Sequence, residues 1–538
     1  MCDNLVKQNK IVEFCSRASV IVVGAIFYFL SIAAFIGTSY FDPENALSEK
    51  IIFKIDNVFI NSLIIIGIFI IALLLTKSKI KLYKVNKLWT ILVMITICVT
   101  ISLSWNLLTK AIPASDSKIV TYAARDMANN DFHIFGYGPC EYCWDKDYYG
   151  GHSYFSFFDY QLGFVLFEEI IFRIFGTGGD AFLSIKIVNI IALVFAYIAV
   201  VFIVERLFKN KTITNLTAIA LTFCFQPMFF TIFTYGVITG LCFSLWAVYF
   251  VILFMQDEKR VLCFILATVF IILAVLVKYN NIIVVIALAI SLLLFSLDRK
   301  KILALILAIV IVVSPILSMK LVIKSYESRS GFSFDIKVNQ TELLDAGLHD
   351  SINPGWYNGI QVNDIKNANM DQKKATADAK KHVTDRLNEF IKDPHKMLEF
   401  FNKKILSQYN EPSYESIWLE HVRFHDYKNG ETKPAVVESV EKGPLSKVLL
   451  FYFNEYVMIM YMGFALGLIR MFLRKTCKPE NIILPVIILG GYLYHNIFEA
   501  KSQYILVYFV MMIPYAIYGL YHASKFLDKR FTKLLNKS

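Results

Sequence analysis

The chain has 538 residues, of which 57% are hydrophobic and 18% charged, and its formal net charge is +11. Soluble domains carry about 25% charged residues, so this composition, with a mean hydropathy of +0.54, excludes an ordinary soluble protein. The basic residues stand in short connectors between apolar stretches, where they orient helices in a membrane and do not indicate nucleic-acid binding. We therefore predict a multi-pass protein of the plasma membrane.

Apolar stretches long enough to cross a bilayer, which takes about 20 residues, recur along the whole chain. The first lacks a small-residue cleavage site, so we expect a retained helix and not a signal peptide. The pattern predicts a polytopic α-helical membrane protein with about 12 transmembrane helices. These stretches are residues 17–37, 57–76, 89–108, 183–204, 215–230, 237–255, 261–277, 282–297, 302–323, 447–473, 482–497 and 504–523.

The stretch at residues 159–178 is also long enough to span, but it carries Glu168, Glu169 and Arg173 in its middle. Each charge at the bilayer centre costs about 2.5–3.5 kcal/mol. We therefore predict an amphipathic helix that lies in the membrane interface and does not cross it. Its two glutamates are expected on a solvated polar face, and the alternative is that they point into a functional site.

The connectors then divide by charge. Three short connectors on one side hold only Lys278 and Lys501, whereas five segments on the other side hold 16 Lys and Arg residues. The positive-inside rule makes the basic side cytoplasmic, together with both termini. Residues 109–182 and 324–446 become extracytoplasmic. The five basic segments are 206–213, 257–260, 298–301, 474–481 and the C-terminal tail.

This topology predicts four parts of the chain. Within the extracytoplasmic domain, two helical patches at 371–392 and 395–408 are separated by Asp393-Pro394, which is typical of a helix stop and restart. The four parts are an N-terminal two-helix extension (1–88), a transmembrane core with the first external loop (89–323), an extracytoplasmic mixed domain (324–446), and C-terminal transmembrane helices with a basic cytoplasmic tail (447–538).

Several charged residues stand at the predicted outer ends of helices. Asp116 follows the third span and is either a general base facing a water-filled cavity or the N-cap of a helix that starts near Lys118. Lys278 and Lys501 suit a lipid phosphate, with snorkelling to the interface as the alternative. Glu499 could pair with Lys501 or bind a hydroxyl-rich ligand.

Other motifs are less specific. Cys140 and Cys143 form an external C-x-x-C, for which we favour a disulfide over free thiols. His421 and His425 have the i,i+4 spacing of a metal pair on a helix, but this spacing is common and no metal ligands are predicted. The aromatic residues at 148–160 are typical of an interfacial belt, and sugar stacking is the alternative. No G-x-x-x-x-G-K-[ST] loop occurs, which disfavours an ATP-driven pump.

Short motifs occur in a recognisable order from about residue 90 to the C-terminus. This order resembles the GT-C type glycosyltransferases of the protein O-mannosyltransferase and aminoarabinose transferase superfamily, especially their Gram-positive forms. The motifs are PASD with Asp116, YFSFFDYQLGFVLFEEIIFRIFG, FFTIFTYG at 229–236, LVKYNNI at 276–282, GWYNG at 355–359, QYNEPSYESIW at 408–418 and GGYLYHNIFEAKSQYILVYF at 490–509.

The resemblance implies a GT-C like fold and the transfer of a sugar from a polyprenyl-phosphate donor to a cell-envelope acceptor on the outer face, commonly with inversion. It implies that Asp116 is the catalytic carboxylate. We expect Lys278, helped by Lys501, to bind the donor phosphate. The expected substrate-binding residues are Glu499, Gln503, Tyr504, Gln161 and Tyr235.

The chain departs from the family at two positions. Asp159 stands where a proline is usual, and Val237 stands where many relatives have an acidic residue. A two-carboxylate metal site is therefore not predicted, although a divalent cation stays open as a cofactor. The alternatives to a transferase are a flippase or transporter of lipid-linked sugars and a polysaccharide polymerase or ligase. A transporter leaves the external domain unexplained, and no pair of interrupted helices is evident.

Overall fold

A computed structural model describes residues 9–42, 49–77, 82–135, 152–178, 181–257, 259–417 and 431–535. Over these ranges the chain consists of helices and one two-stranded sheet. Cys140, Cys143, His421 and His425 lie outside the described residues, so the disulfide and the histidine pair are not seen.

The helices that position the site are labelled in chain order. The labelled helices are α1 (Lys10–Ile36), α2 (Val58–Lys77), α3 (Lys87–Thr109), α4 (Ser115–Ala128), α5 (Tyr154–Phe157), α6 (Leu162–Phe175), α7 (Ala181–Phe208), α8 (Lys211–Thr222), α9 (Phe225–Phe229), α10 (Val237–Met255), α11 (Arg260–Val277), α12 (Ile282–Arg299), α13 (Ile302–Ser330), α14 (Gln340–Leu348), α15 (Ile360–Asn367), α16 (Gln372–Lys392) and α17 (Pro394–Tyr409). The described helices that follow are Ala435–Glu441, Pro444–Arg474, Pro479–Ile497 and Leu506–Leu535.

Nine described helices are long and apolar enough to cross a membrane, or ten if one bent pair is a single span. The polytopic helical fold is thereby confirmed, whereas the count of twelve is not. The span predicted at 215–230 is broken by a bend of 48°. The second predicted span lies on α2, within which the apolar stretch that is recognised, Val58–Ile71, is shorter than the nine spans. The helix Pro479–Ile497, which contains Glu480 and His495, is not among the nine.

The segment predicted to avoid crossing the membrane forms α6, which has 14 residues. At 1.5 Å per residue it is about 21 Å long, shorter than a hydrocarbon core of about 30 Å. It packs along α4. The expected solvated face is wrong, because Glu168 and Glu169 are 0% and 2% exposed. Arg329 lies 2.6 Å from the Glu169 carboxylate and satisfies it inside the protein.

The two ends of the helix bundle differ in charge. A cavity of about 740 Å³ is lined by residues of the basic connectors, among them Arg206, Lys209, Arg299 and Lys301. The 18 residues of α11 lead from this end to Lys278, a distance of about 27 Å. The basic connectors therefore lie together at the end of the bundle away from Lys278, as the charge pattern predicts.

The N-terminal extension reaches the large domain through a hairpin between α1 and α2. Strands β1 (Gly37–Phe41) and β2 (Ile51–Ile55) are antiparallel, with Gly37 opposite Ile55. The Ser39 amide donates to the Asn410 carbonyl at 3.0 Å, and the Asn410 side chain donates back to the Gly37 carbonyl at 2.8 Å. The hairpin is thus hydrogen-bonded to the segment that follows α17.

The large segment 324–446 is helical where the sequence predicts helices. Helix α16 ends at Lys392 and α17 begins at Pro394, with the Asp393 side chain accepting a hydrogen bond from the Lys396 amide. The predicted stop and restart is confirmed, because a proline is tolerated at the first helical position while an aspartate caps the amides that follow. Phe390 and Phe400 pack across the junction at 5.3 Å.

Candidate active site

Asp116 lies in the first turn of α4, which begins at Ser115. The N-cap residue is Ala114, so the alternative that Asp116 caps the helix is wrong. A carboxylate in a first helical turn is stabilised by the helix dipole. The Asp116 side chain is exposed to solvent, and it therefore keeps a face that a substrate can approach.

Tyr235 lies at the centre of the site and contacts four other side chains. Its hydroxyl donates to Asp116 Oδ2 at 3.2 Å and accepts a hydrogen bond from Gln161 Nε2 at 2.5 Å. The Tyr154 hydroxyl lies 3.5 Å from the Tyr235 hydroxyl oxygen. Lys278 Nζ sits 3.6 Å from the centroid of the Tyr235 ring, a cation–π contact. The Tyr235 side chain thus contacts Asp116, Gln161 and Lys278.

Glycines make this convergence possible. Gly236 has φ +74, and a Cβ there would lie 2.1 Å from the Val277 carbonyl oxygen. A Cβ at Gly240 would lie 2.6 Å from Asn281 Nδ2, and one at Gly163 would lie 2.3 Å from the Leu276 carbonyl oxygen. Small residues therefore let α10 and α6 reach the backbone at the end of α11.

The connector that carries Lys278 is held at both ends. Asn281 Nδ2 donates to the Ala274 carbonyl at 2.8 Å, and Ser244 Oγ donates to Asn281 Oδ1 at 3.0 Å. Asn281 is buried, so both hydrogen bonds are shielded from water. This clamp fixes Lys278 relative to α10 and hence to Tyr235.

The segment after the helix Pro479–Ile497 carries the other predicted residues. Tyr504 donates to Glu499 Oε1 at 2.7 Å, and its ring stacks on His495 with a centroid distance of 5.0 Å. The Gln503 side chain is buried, and its Oε1 has no hydrogen-bond partner among the described residues. Glu499 and Tyr504 are therefore already hydrogen-bonded to each other, and the Gln503 Oε1 atom is available to accept a hydrogen bond from a ligand.

Lys501 is held by carboxylates that the sequence reasoning did not identify. Its ammonium lies 2.9 Å from Glu49 of the N-terminal hairpin and 3.8 Å from Glu415. Glu415 Oε1 also accepts from Ser502 Oγ at 3.0 Å and from the Gln503 amide at 3.2 Å. Burial raises the pKa of Glu415 to about 7, and the Lys501 ammonium opposes this shift.

Residues of the large segment 324–446 are hydrogen-bonded to the segment that carries Glu499. Lys404 is fully buried, and its ammonium donates to the carbonyl oxygens of Gly347 at 2.5 Å and Phe498 at 2.7 Å. The Ala500 amide donates to the Gly355 carbonyl at 2.8 Å. These contacts place the domain directly beside Glu499.

The charged groups influence one another. Desolvation by the surrounding protein raises the pKa of Asp116, and the Tyr235 hydroxyl and the ammonium groups of Lys501 and Lys278 oppose this rise. Because the Asp116 carboxyl is exposed, water screening limits the rise. Burial lowers the pKa of Lys278 to about 7, against the attraction of Asp116 and Glu499. A base and a titratable cation therefore lie side by side in one site.

Contacts or electrostatic influence link seven of the eight predicted catalytic, phosphate-binding and substrate-binding residues, and Gln503 follows Lys501 closely on the same segment. Gln161 contacts Tyr235, which contacts Asp116 and Lys278, and the pKa values of Asp116 and Glu499 both respond to Lys501. Among the described residues, no set of three metal-ligating side chains lies at Asp116.

The aromatic residues before Gln161 do not form the expected interfacial belt. Tyr154, Phe155 and Phe157 are at most 2% exposed. Phe155 packs edge-on against Phe135 at 5.2 Å, inside a core shared by α4, α6 and α13. The belt prediction is wrong for these residues because their side chains pack inside the protein against helices that also carry the site.

Comparisons with known proteins agree with the predicted resemblance over part of the chain. Residues 162–319 match the family model described as dolichyl-phosphate-mannose-protein mannosyltransferase. The resemblance to the protein O-mannosyltransferase superfamily is therefore confirmed for this segment. A comparison with curated protein sequences gives no match.

The fold was also compared with solved structures. An Archaeoglobus fulgidus oligosaccharyltransferase, AglB, in complex with an inhibitory peptide and a dolichol-phosphate, is 14% identical with a TM-score of 0.41, covering 84% of this chain and 51% of that chain. An apo form of the A. fulgidus enzyme is 14% identical with a TM-score of 0.42, covering 84% and 52%. This chain spans about half the length of these structures, and similarity at this level does not bear on function.

Proposed function

We propose that the chain is a membrane glycosyltransferase that moves a sugar from a polyprenyl-phosphate donor to a hydroxyl of a cell-envelope acceptor, which is a glycan, teichoic acid or protein. One observation carries the proposal: Tyr235 joins Asp116 to Lys278 through its hydroxyl at 3.2 Å and its ring at 3.6 Å. A base beside a cation is what displacement of a phosphate by a hydroxyl requires.

Asp116 acts on the acceptor. Its carboxylate takes the proton of the attacking hydroxyl while the acceptor oxygen forms a bond to the anomeric carbon. A carboxylate whose pKa is raised by its surroundings is a stronger base than a fully solvated one. The hydrogen bonds of Tyr235 and Tyr154 orient the carboxylate, and its exposed face is the one that receives the proton.

Lys278 acts on the leaving group. As the bond between the anomeric carbon and the phosphate oxygen breaks, the electron pair leaves with the polyprenyl phosphate, and the sugar is transferred with inversion in a single displacement. The ammonium is attracted to the π-face of Tyr235 and can stabilise the charge that develops on the phosphate. Lys501 is a helper, since Glu49 and Glu415 already surround it.

The remaining predicted residues position these groups and the substrates. Gln161 is assigned to hold the Tyr235 hydroxyl, to which it donates at 2.5 Å. Glu499, fixed by Tyr504 at 2.7 Å, and the unpartnered Gln503 Oε1 are suited to sugar hydroxyls, which both donate and accept hydrogen bonds.

The proposed reaction side is the outer face of the membrane. The support is the charge pattern: the basic connectors lie at the far end of the bundle from Lys278, and basic connectors stay in the cytoplasm. A lipid-linked phosphate is already an activated leaving group, so no nucleotide has to reach this face. The external domain, attached through Lys404 and Gly355, is placed to cap the acceptor.

The test uses the purified full chain in nanodiscs with a panel of radiolabelled polyprenyl-phosphate sugars. Teichoic acid, glycan and peptide acceptors are added one at a time, and release of polyprenyl phosphate is followed. The proposal predicts release that depends on an acceptor, with label appearing in that acceptor. Movement of intact donor across proteoliposomes without any cleavage would instead establish a flippase and refute the proposal.

A further inference from the structure

Two carboxylates and an imidazole meet in the external domain, away from Asp116. Asp345 lies on α14, Asp364 on α15 and His382 on α16. One potential ligand atom from each lies within 4.8 Å of the other two. Because the three residues come from three helices, no sequence spacing reveals the cluster.

The distances between the three side chains suit binding to one shared metal ion. His382 Nδ1 lies 2.9 Å from Asp345 Oδ2 and 3.7 Å from Asp364 Oδ1. Around an ion with bonds of about 2.1 Å, neighbouring ligand atoms in octahedral or tetrahedral geometry are about 3.0–3.4 Å apart. The observed separations bracket this range, so only small side-chain movements would complete a coordination sphere.

Burial makes the carboxylates costly without a cation. Asp345 is 0% exposed and Asp364 is 6% exposed. Asp364 Oδ2 has no hydrogen-bond partner among the described residues, and Gln361, one turn earlier on α15, also has an unpartnered and buried Oε1. Burial, together with the nearby Asp345 carboxylate, raises the pKa of Asp364 to about 7. Buried charges in proteins are normally paired or bound to a metal.

We propose that Asp345, Asp364 and His382 bind a divalent transition-metal ion of the Zn²⁺ type. Imidazole nitrogen combined with carboxylate oxygen suits Zn²⁺, whereas Ca²⁺ takes six to eight oxygen ligands. The fourth position is left to water. His349 Nδ1, at 2.8 Å from Asp345 Oδ1, supports that ligand from outside. His382 is 45% exposed and provides the entry path.

The ion has a structural role in this proposal. It fastens α14, α15 and α16 together, and α14 is the helix that meets the segment carrying Glu499. A Cβ at Gly347 of α14 would lie 2.5 Å from the Phe498 carbonyl carbon, which shows how closely the two backbones approach. Metal binding would thus fix the external domain on that segment. The inference does not depend on the transferase activity.

The experiment measures metal on the full chain in detergent. Protein purified without chelator is analysed by elemental mass spectrometry, then stripped with EDTA and titrated with ZnCl₂ by calorimetry. The proposal predicts about one Zn²⁺ per chain, a higher Tm on adding it, and binding weakened at least about 100-fold in D364N and H382A. D364N removes a buried like charge, so it should fold.

The matched control is H395A, which removes an exposed histidine in the same domain. It should bind Zn²⁺ as the wild type does. The proposal is overturned if wild-type chain binds no stoichiometric divalent ion, or if D364N and H382A bind Zn²⁺ with wild-type affinity. Either result would leave the cluster as a pair of carboxyl groups that share a proton beside a histidine.

Discussion

The Tyr235 hydroxyl donates to Asp116 Oδ2 at 3.2 Å, while the same aromatic ring lies 3.6 Å from the Lys278 ammonium. The two residues of this hydrogen bond are 119 positions apart in the chain. Tyr235 therefore sets the spacing of base and cation, and its two contacts can be separated by mutation.

Replacing Tyr235 by Phe should lower kcat about 10- to 100-fold and leave the KM for the donor nearly unchanged. The variant loses a hydrogen bond to a charged group, worth about 1.5–3 kcal/mol, but keeps the ring beneath Lys278. Steady-state kinetics with labelled donor measure both constants. Y249F, on the helix α10 that follows Tyr235, is the control, because Tyr249 makes ring contacts there. Equal activity of Y235F and Y249F would contradict the role of the hydroxyl.

The pH profile of kcat/KM should be bell-shaped. Asp116 acts only when ionised and its pKa is raised, so activity falls as the pH drops through that raised value. Lys278 acts only when protonated, and burial lowers its pKa to about 7, so activity falls again above about pH 7. The limbs of kcat/KM report the free enzyme, in which the donor phosphate does not yet hold the proton on Lys278.

K278R separates this explanation from a general alkaline inactivation. Arginine stays protonated at all accessible pH values, so the alkaline limb should disappear while some activity remains. K300Q, a change at the basic end of the bundle, should keep the wild-type profile. An unchanged alkaline limb in K278R would show that another group titrates there.

Gly236 should tolerate alanine much less well than Gly331, although both have φ +74. Alanine at either position bears about 1–2 kcal/mol of left-handed strain. At Gly236 the added Cβ would also lie 2.1 Å from the Val277 carbonyl oxygen, whereas nothing lies within 4 Å at Gly331. G236A should therefore lose activity and Tm, and G331A should lose only a little Tm. Similar effects of both changes would refute the close approach.

The sequence contains enough information for the general architecture and for the residues of the short connectors. Apolar length and charge bias predict the spans and bring Asp116, Lys278 and Lys501 to one end of the bundle. They could not predict Glu49, because its contact with Lys501 joins residues 452 positions apart. An ion pair of this kind depends on tertiary packing and leaves no periodic signal in the chain.

Lys404 should matter more than its neighbour Lys403. K404M leaves the buried carbonyls of Gly347 and Phe498 without a donor, at a cost of about 1–3 kcal/mol for each unpaired group. It should lower both Tm and transfer activity, since Phe498 precedes Glu499. K403M removes a surface pair with Glu399 and should leave Tm unchanged. Thermal unfolding in detergent compares the two variants, and equal Tm values would contradict the anchoring role.

The two buried glutamates of α6 should respond oppositely to glutamine. E169Q breaks contacts with Arg329 and Tyr326 and should destabilise by about 2 kcal/mol, less than a fully buried pair because Arg329 is partly exposed. E168Q replaces a fully buried carboxyl that has only Thr121 as a weak hydrogen-bond partner and no cation beside it among the described residues, so it should be neutral or stabilising.

The pH dependence of Tm provides a second test of this pair. Burial raises the pKa of Glu168 well above its ordinary value, so its contribution is present in acid and is lost as the pH rises; E168Q should flatten that loss. Burial is outweighed at Glu169 by Arg329, Tyr326 and Arg173, which lower its pKa, so its contribution is lost as the pH falls. Identical pH profiles for the two variants would contradict this assignment.

The prediction of a solvated face on α6 failed for a physical reason. Charged residues on an apolar helix have two low-energy positions: facing water, or paired inside the protein. The sequence of this segment alone predicts the water-facing position, because it does not contain the partner of Glu169. That partner, Arg329, lies on α13, 160 positions away. The same limit applies to the Asp345, Asp364 and His382 cluster. Local periodicity cannot report partners that only tertiary packing supplies.

The most direct test of the central claim is D116N against D131N in the donor-cleavage assay. Asp131 is an exposed carboxylate just beyond the other end of α4, so its loss should leave transfer at the wild-type rate. D116N keeps the shape of the side chain but cannot accept the proton, and loss of a general base costs about 100- to 10,000-fold. We expect acceptor-dependent release of polyprenyl phosphate to fall by that factor in D116N alone. Wild-type release by D116N would contradict the role of Asp116 as the base.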